Sequence, residues 1–235
     1  MKTVGIIGGT GPESTLAYYR QIVAAYRQKT ADGSYPPVII NSIDLKKLLD
    51  LAESKQLEAL THYLLGEIQK LALAGADFGI LAANTPHMVF DSLARQSPIP
   101  LISIVEVTRE AASTLGLKRL GIFGTRFTME AAFFPDVLRG AGIAVVLPTP
   151  QERDFIHEKY LAELVSGIVL PETRKGLMKI VSRMKALDRI DGVILGGTEL
   201  SLMFTEPSYE DVIFLDTAKL HVEKIVERLL SLETS

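Results

Sequence analysis

Short apolar runs alternate along the chain with longer stretches in which apolar residues recur every three or four positions. A continuous apolar run is typical of a buried parallel strand, and a spacing of three to four is typical of an amphipathic helix. This pattern predicts strands at residues 2–8, 36–42, 78–82, 101–104, 120–123, 144–147, 192–195 and 212–215. Strands that alternate with helices indicate parallel, doubly wound sheets. We therefore predict an α/β protein.

Two of the predicted strands end in the same short pattern. The sequences LAANTPH at 81–87 and VILGGTEL at 193–200 each follow an apolar run with two small residues, a threonine and an ionisable group. The opening VGIIGGT at 4–10 is echoed by LGIFGT at 120–125 at nearly the same offset. Two matched pairs at nearly one offset indicate an internal duplication. We predict two pseudo-symmetric, flavodoxin-like domains, residues 1–104 with 211–235 and residues 105–210, with the ligand site in the cleft between them.

Polar residues follow the predicted central strands in both halves. In open α/β sheets, ligands bind just beyond the carboxyl ends of the strands. Hydroxyl, amide and backbone N–H groups there can bind a carboxylate without titrating themselves. The alternative is that each threonine caps its own helix and that the glycine turn binds nothing. We expect the following residues to contact a ligand: Gly9, Thr10, Asn84, Thr85, Thr125 and Thr198.

The glycine turn fits a dinucleotide fingerprint poorly. A G-x-G-x-x-G pattern that starts at Gly9 puts Ser14 where close helix–strand packing requires the third glycine. No P-loop lysine follows the turn either. The sequence therefore disfavours a nucleotide as the ligand.

Composition excludes several classes of function. The chain has 235 residues and a formal net charge of −3, so it carries no basic excess for nucleic acid. No apolar run approaches the ~18 residues of a membrane span, and the first residues predict a strand rather than a signal peptide. A cytoplasmic protein without a membrane or nucleic-acid partner is therefore expected. The chain contains no cysteine, which excludes disulfides, thiolate metal sites and thiol catalysis.

Six motifs together resemble the aspartate/glutamate racemase family, the cofactor-independent amino-acid racemases. They are GIIGGT at 5–10 with EST at 13–15, ANTPH at 83–87, GTRFTME at 124–130, ELVSG at 163–167, LGGTEL at 195–200 and DTA at 216–218. The resemblance covers nearly the whole chain. It implies a homodimer, an acidic amino acid or small dicarboxylate as ligand, and neither a cofactor nor a metal.

The resemblance also implies a mechanism that this chain cannot follow. Family members use two cysteines, one of which removes the α-proton while the other returns a proton to the opposite face. The corresponding positions here are Ala83 and Gly197, and neither carries an acid–base group. Some family members have threonine at the first position, so Ala83 alone would be ambiguous. We expect that two-thiol racemisation does not occur, and restoring both cysteines would test whether the scaffold is otherwise competent.

Other side chains are candidates for proton transfer in place of the thiols. His87 and Glu199 form the one pair that lies near both family positions. The alternatives are a structural histidine in the first helical turn and a glutamate that caps backbone N–H groups. Asp44, Asp216 and His221 are either groups of the cleft or ordinary residues at strand ends and on a helix face.

Three functions remain open at this point. The first is a racemase of aspartate, glutamate or a related acid, and the second is a non-catalytic homologue that keeps the binding site. The third is a one-sided isomerase or decarboxylase of a dicarboxylic acid, although relatives with such chemistry keep at least one cysteine. The sequence also allows a deliberate replacement of the two cysteines.

Overall fold

The chain folds into two compact units, each of which is described by itself. The computed structural model describes residues 1–231, apart from the side chain of Pro12. The first unit comprises Met1–Ile104 and the chain from His221 onward, and the second comprises Val105–Leu220. Each unit contains one sheet of mainly parallel strands with helices between them. The α/β fold class predicted from the apolar pattern is confirmed.

The sheet of the first unit has four parallel strands in the order β2-β1-β3-β4. The strands are β1 (Val4–Gly8), β2 (Val38–Ser42), β3 (Phe78–Leu81) and β4 (Leu101–Ile102). They are connected by α1 (Pro12–Lys29), α2 (Leu45–Glu53), α3 (Leu57–Leu73), a 3₁₀ turn (Thr85–Val89) and α4 (Phe90–Gln96).

The two central strands of this sheet are buried throughout. Every residue of β1 and of β3 is buried, which is why these strands read as continuous apolar runs rather than as alternating patterns. Helix α3 contributes Leu60, Leu64 and Ile68 to the same core as Ile7 and Leu81. This packing fixes the carboxyl ends of β1 and β3 side by side.

The sheet of the second unit has five strands in the order β6-β5-β7-β9-β8. They are β5 (Arg119–Phe123), β6 (Ala144–Val146), β7 (Gly192–Leu195), β8 (Ser208–Tyr209) and β9 (Val212–Asp216). Its helices are α5 (Ile104–Thr114), α6 (Arg126–Glu130), α7 (Phe133–Arg139), α8 (Pro150–Ala162) and α9 (Pro171–Arg183). Helix α10 (Thr217–Leu230) follows β9, and most of it belongs to the first unit, which the chain rejoins at His221. Two 3₁₀ turns (Leu164–Ser166 and Thr198–Leu202) and one π-helical turn (Met184–Asp188) complete the second unit.

Apart from the short antiparallel β8 at the edge of the second sheet, the two sheets share one strand order. The second strand along the chain lies outside the first, and the third strand and then the last parallel strand lie on the other side. This is the flavodoxin-like order, and the order reverses between the first and third strands. The doubly wound architecture predicted from the sequence is therefore confirmed in both units.

Three local features differ from the sequence prediction. Strand β9 was expected to complete the first domain, but it pairs with β7 in the second sheet, so the units divide after Leu220 rather than after residue 210. Its apolar residues are compatible with either sheet, so the sequence pattern does not determine which sheet the strand joins. The strand predicted at 101–104 ends at Ile102, because Ile104 begins α5. The short β8 is antiparallel, both of its residues are exposed, and it was not predicted.

Within the described part of the chain, the model contains no helix of the length and apolar character that crossing a membrane requires.

Candidate functional site

The echoed motifs of the first half lie at neighbouring strand ends. Strands β1 and β3 are adjacent, with Ile7 paired to Leu81, so the loops that follow them begin at the same edge of the sheet. Thr10 belongs to the first loop, and Asn84 and Thr85 belong to the second. This edge is the point where the strand order reverses, the usual ligand position in such sheets.

The second half repeats this arrangement. Strands β5 and β7 are adjacent, with Phe123 paired to Leu195, and they bring the loops of Thr125 and Thr198 to one edge. Gly124 and Gly196 allow the close approach, because a Cβ on Gly196 would lie 2.8 Å from Thr128 Cγ2 and 3.0 Å from the Phe123 carbonyl. Each unit thus places its own pair of motifs together.

The loop around Ala83 is held by a buried histidine. The His87 Nδ1 atom lies 3.0 Å from the Ala83 carbonyl, and Ile104 N–H donates to His87 Nε2 over 3.2 Å. Because Nε2 accepts, the single proton of the neutral ring is on Nδ1, which donates to Ala83. His87 therefore connects the end of β3 to the start of α5, and both of its nitrogens are occupied.

Burial keeps this histidine neutral. His87 is only 4% exposed, and burial lowers the pKa of its imidazole to about 3, a shift to which the nearby His221 adds. Burial likewise lowers the pKa of His221 to about 4. The Tyr18 hydroxyl lies 2.9 Å from His221 Nδ1, and His221 Nε2 lies 3.0 Å from the Ile102 carbonyl. This geometry favours structural roles for both histidines and argues against His87 as a proton-transfer group.

The glycine turn after β1 is explained by packing. The Gly9 N–H donates to Thr15 Oγ1 over 2.9 Å, so this amide is not available to an anion as the sequence had suggested. Gly9 has a φ of +79°, and a Cβ there would lie 2.6 Å from the backbone nitrogen of Ile43. Gly9 is therefore required by backbone conformation and close approach.

Two hydroxyls beside this turn bind the loop that follows β3. Ser14 Oγ donates to the Ala82 carbonyl over 2.7 Å, and Thr10 Oγ1 approaches the same oxygen at 3.4 Å. Ser14 is buried. The first half thus presents a methyl group at Ala83 on a loop that three hydrogen-bonding side chains hold in place.

Thr125 acts as a helix cap. Its Oγ1 accepts from the backbone N–H of Thr128 over 3.2 Å at the start of α6, and the two threonine hydroxyls are 3.1 Å apart. The capping alternative therefore describes Thr125 in this structure. Asn84 is buried, and Thr85 is half-buried at the start of its 3₁₀ turn.

A tyrosine occupies the side-chain space of the second family position. A Cβ built on Gly197 would lie 2.5 Å from Cε2, 2.6 Å from the hydroxyl oxygen and 2.8 Å from Cζ of Tyr160. The backbone of Gly197 is extended, with a φ of −152°, so the restriction is steric rather than conformational. Restoring both cysteines, the experiment that the sequence suggested, would therefore create a collision at 197 unless Tyr160 moves.

Tyr160 is hydrogen-bonded to Glu199. The phenol, on α8, donates to Glu199 Oε2, and the Thr198 hydroxyl donates to the same oxygen over 2.8 Å. Tyr160 is 7% exposed, whereas Thr198 and Glu199 are half-buried. Burial raises the pKa of the Tyr160 phenol, and the Glu199 carboxylate raises it further, so the phenol keeps its proton. The second half therefore presents a carboxylate that two hydroxyls hold.

The other acidic candidates cap helices. Asp44 is exposed and accepts from the N–H of Lys46 over 2.9 Å at the start of α2. Asp216 accepts from the N–H of Lys219 over 3.0 Å, and burial raises the pKa of its carboxyl group. Within residues 1–231, no group of three or more histidine, cysteine, aspartate or glutamate side chains is arranged to hold a metal ion.

Sequence reasoning missed Tyr160 and Ser14. Ser14 lay inside a quoted motif, and its place in the first turn of a helix beside β3 was a usable signal. Tyr160 had none, because it lies far along the chain from Gly197 and its ring reaches the glycine only through the packing of α8.

The fold and these loops define a doubly wound α/β protein in which two units of similar topology carry similar loops at their strand-order reversals. The model of the Asp/Glu/Hydantoin racemase family matches residues 7–225, and the chain belongs to this family. Its fold is similar to that of a protein described as an Asp/Glu racemase from Yersinia pestis, with 27% identity, a TM-score of 0.89, and coverage of 98% of this chain and 100% of that one.

Two further relatives support the same membership. An aspartate racemase homologue from Pyrococcus horikoshii OT3 is 33% identical, with a TM-score of 0.86 and coverage of 98% of this chain and 100% of that one. The broad specificity amino-acid racemase RacX of Bacillus subtilis (strain 168) is 27% identical over 147 residues. That match spans 61% of this chain and 63% of RacX, less than two thirds of the relative.

Proposed function

We propose that this protein binds an acidic amino acid at the carboxyl ends of its central strands and does not racemise it by the two-thiol mechanism. The observation that carries the proposal is the pair of family positions, where Ala83 offers a methyl group and the space beside Gly197 is filled by Tyr160. Membership of a racemase family supports an amino acid as the ligand class. The absence of cysteine removes the family's proton carriers.

The groups around Thr198 favour an amino acid over a plain dicarboxylate. The hydroxyl proton of Thr198 is directed to Glu199, so this threonine cannot donate to a ligand carboxylate without breaking that bond. The Glu199 carboxylate attracts an ammonium group and repels a second carboxylate. The α-ammonium group of aspartate or glutamate satisfies this requirement, whereas succinate and glutarate lack it.

Ligand-induced thermal stabilisation tests the proposal. A ligand at about 100 times its Kd stabilises the native state by about 2.7 kcal/mol, which raises the Tm of a chain of this size by roughly 5–10 °C. We expect such a rise with at least one enantiomer of aspartate or glutamate, and a clearly smaller one with succinate or glutarate. If none of the four amino acids changes the Tm, the protein is not an acidic amino-acid binder.

Two glutamate variants test the role assigned to the carboxylate. Glu199→Gln keeps the shape of the side chain but removes its charge, so it should reduce the difference between aspartate and succinate. Glu172→Gln is the matched control, because Glu172 is exposed in the first turn of α9 in the same unit. An unchanged preference in Glu199→Gln would contradict the assignment of the ammonium group to Glu199.

Racemisation is assayed separately by chiral chromatography of each enantiomer. We expect no interconversion above the buffer rate, because neither family position carries a group that can exchange a proton. Interconversion at an enzymatic rate, lost on heating the protein, would refute this part of the proposal.

A further inference from the structure

The space that a second family cysteine would need holds an ionisable group of another kind. The Tyr160 hydroxyl oxygen lies 2.6 Å from the position of a Cβ on Gly197, which is closer than non-bonded atoms approach a real Cβ. A side chain at 197 would therefore displace the phenol. A glycine at 197 is the residue that makes room for this phenol. The absence of a side chain at 197 and the position of the Tyr160 hydroxyl in that space are therefore one structural feature.

The phenol is fixed in one orientation. Tyr160 lies on α8, whose start is stabilised by a capping box between Thr149 and Glu152. Its ring belongs to the buried core of the second unit together with Ile156 and Leu164. Its hydroxyl donates to Glu199 Oε2, which leaves the lone pairs of the phenol oxygen as its remaining hydrogen-bonding capacity.

Glu199 completes a route for a proton. Its Oε2 atom accepts from both the Tyr160 and Thr198 hydroxyls, so the carboxylate is held on the phenol's donor side. Glu199 itself is half-buried, so its carboxylate is in partial contact with solvent. A carboxylate behind a phenol can receive the phenol proton while the phenol oxygen receives another.

We propose that Tyr160 and Glu199 together form a one-sided proton-transfer pair that replaces the second thiol of the family. The proposal rests on the proposed function, because it requires an amino acid bound beside Gly197. Tyr160 is the catalytic residue, since its oxygen would touch the reacting hydrogen, and Glu199 acts through it.

The step is balanced as a proton transfer. The Cα–H bond of the bound amino acid breaks, its hydrogen moves as a proton to the Tyr160 oxygen, and the electron pair remains on the substrate as an enolate of its carboxylate. The original phenol proton moves to Glu199, so Tyr160 ends neutral and Glu199 ends as a carboxylic acid. The phenol O–H now carries the former Cα hydrogen. This proton exchanges with solvent protons through Glu199 before the phenol returns a proton to Cα, and that return restores the starting state. No oxidant, reductant or further reactant takes part.

One-sidedness determines the stereochemical outcome. The proposed pair has one atom that exchanges a proton with the substrate, the Tyr160 oxygen beside Gly197. A proton removed by Tyr160 is therefore replaced by Tyr160 on the same face. The Cα hydrogen exchanges with solvent while the configuration is retained, which distinguishes this site from a two-sided racemase.

Deuterium exchange in D₂O near neutral pH tests this proposal. Each enantiomer of aspartate and glutamate is incubated with the full-length protein and examined by proton NMR for loss of the Cα hydrogen and by chiral chromatography for inversion. We expect exchange above the buffer rate for at least one enantiomer, with retention of configuration. Inversion at the same rate as exchange would overturn the proposal.

Three variants separate catalysis from folding and binding. Tyr160→Phe keeps the ring and should lower the exchange rate about 100-fold or more, the usual range for loss of a general acid–base group. Glu199→Gln should lower it similarly at ligand concentrations that saturate the variant, because weaker ammonium binding is then compensated. The ligand should still raise the Tm of Tyr160→Phe. Tyr26→Phe is the matched control, because it removes a buried tyrosine hydroxyl in the first unit and should exchange like the parent.

The outcomes distinguish this proposal from the one on which it rests. If an amino acid raises the Tm but its Cα hydrogen does not exchange, the protein is a binder and the proton-transfer pair is refuted. If Tyr160→Phe exchanges as fast as the parent, Tyr160 is not the catalytic residue. If no amino acid raises the Tm, the proposed function itself has failed.

Discussion

The ends of β3 and β7 occupy the same place in two sheets of the same order, yet they present different chemistry. After β3, the loop of Ala83 is held by His87, which is neutral and has both nitrogens engaged. After β7, the loop of Gly197 carries the Glu199 carboxylate, to which Tyr160 donates. One end is chemically inert, and the other holds two ionisable groups in contact.

This difference shows that position in a duplicated fold predicts where a loop lies, but not what it can do. The shared strand order gives both loops the same relation to their sheets. Proton transfer depends instead on groups delivered by other elements, such as Tyr160 from α8. The following variants are ordered from the largest expected effect on stability to the smallest.

Acid should destabilise the first unit most. Burial lowers the pKa of His87 to about 3 and that of His221 to about 4, below the ordinary value of 6.5. The unfolded chain therefore binds more protons, so stability is complete above pH 6.5 and falls as the pH drops towards 4. Each histidine should cost about 3 kcal/mol over that range, measured by urea unfolding.

Two histidine variants identify the source of this pH dependence. His87→Gln should reduce the slope of stability against pH by about half, since one of two protons is no longer taken up. His62→Gln is the control, because His62 is exposed on α3. Hydrogen exchange at mildly acidic pH should show earlier loss of protection in β1 and β3 than in β5 and β7. Equal loss of hydrogen-exchange protection in both sheets would contradict the prediction that acid destabilises the first unit more.

The echoed glycines Gly9 and Gly124 should differ in their tolerance of alanine. Gly9→Ala combines a φ of +79° with a collision against the backbone of Ile43, so it should cost about 3 kcal/mol or more. Gly124 has no positive φ, and its nearest neighbour would be the Gly196 carbonyl at 3.1 Å, so Gly124→Ala should cost about 1 kcal/mol. Urea unfolding of the pair measures the difference, and equal losses would contradict it.

The two family positions should respond differently to added volume. Gly197→Ala should cost about 1–3 kcal/mol through contact with the Tyr160 ring, whereas Ala83→Ser, at a half-buried site, should cost less than about 1 kcal/mol. Combining Gly197→Ala with Tyr160→Leu should be less damaging than the sum of the single changes, because the ring is what collides. Additive losses in this double-mutant cycle would mean that the two residues are not in contact.

The echoed threonines Thr125 and Thr10 should show the smallest difference. Thr125 accepts from the Thr128 N–H as a helix cap, so Thr125→Ala should cost about 1 kcal/mol. Helix α1 is preceded by Gly11 instead, and the hydroxyl of Thr10 makes only a 3.4 Å approach to a carbonyl, so Thr10→Ala should cost less than about 0.5 kcal/mol. A larger loss of stability in Thr10→Ala than in Thr125→Ala, measured by thermal unfolding, would contradict the assignment of Thr125 as the helix cap.

Much of the fold could be predicted because it depends on local pattern. The buried strands β1, β3 and β7 are continuous apolar runs bounded by small residues, and this pattern also located the loops of Ala83 and Gly197. Strand β9 was assigned to the wrong sheet, because its partner is determined by packing rather than by its own residues. Sequence periodicity carries no information about such a choice.

The candidate site was less predictable because its chemistry depends on which partners each group meets. Gly9 appeared to offer an amide to a ligand, but Thr15, in the first turn of α1, accepts from that amide. His87 appeared suited to proton transfer, but its surroundings remove its charge. Tyr160 was not considered as a residue of the site, since only the fold brings it to Gly197.

The close contact between Gly197 and Tyr160 limits the order in which single substitutions could restore a thiol at 197. A first step that puts a larger residue at 197 overfills the space, and a first step that truncates Tyr160 to alanine leaves a void that costs about 3–5 kcal/mol. Both single-substitution intermediates are less stable than either end of the path. The return of a thiol is therefore blocked stepwise, and descendants of this chain are expected to diversify their chemistry around the phenol rather than revert.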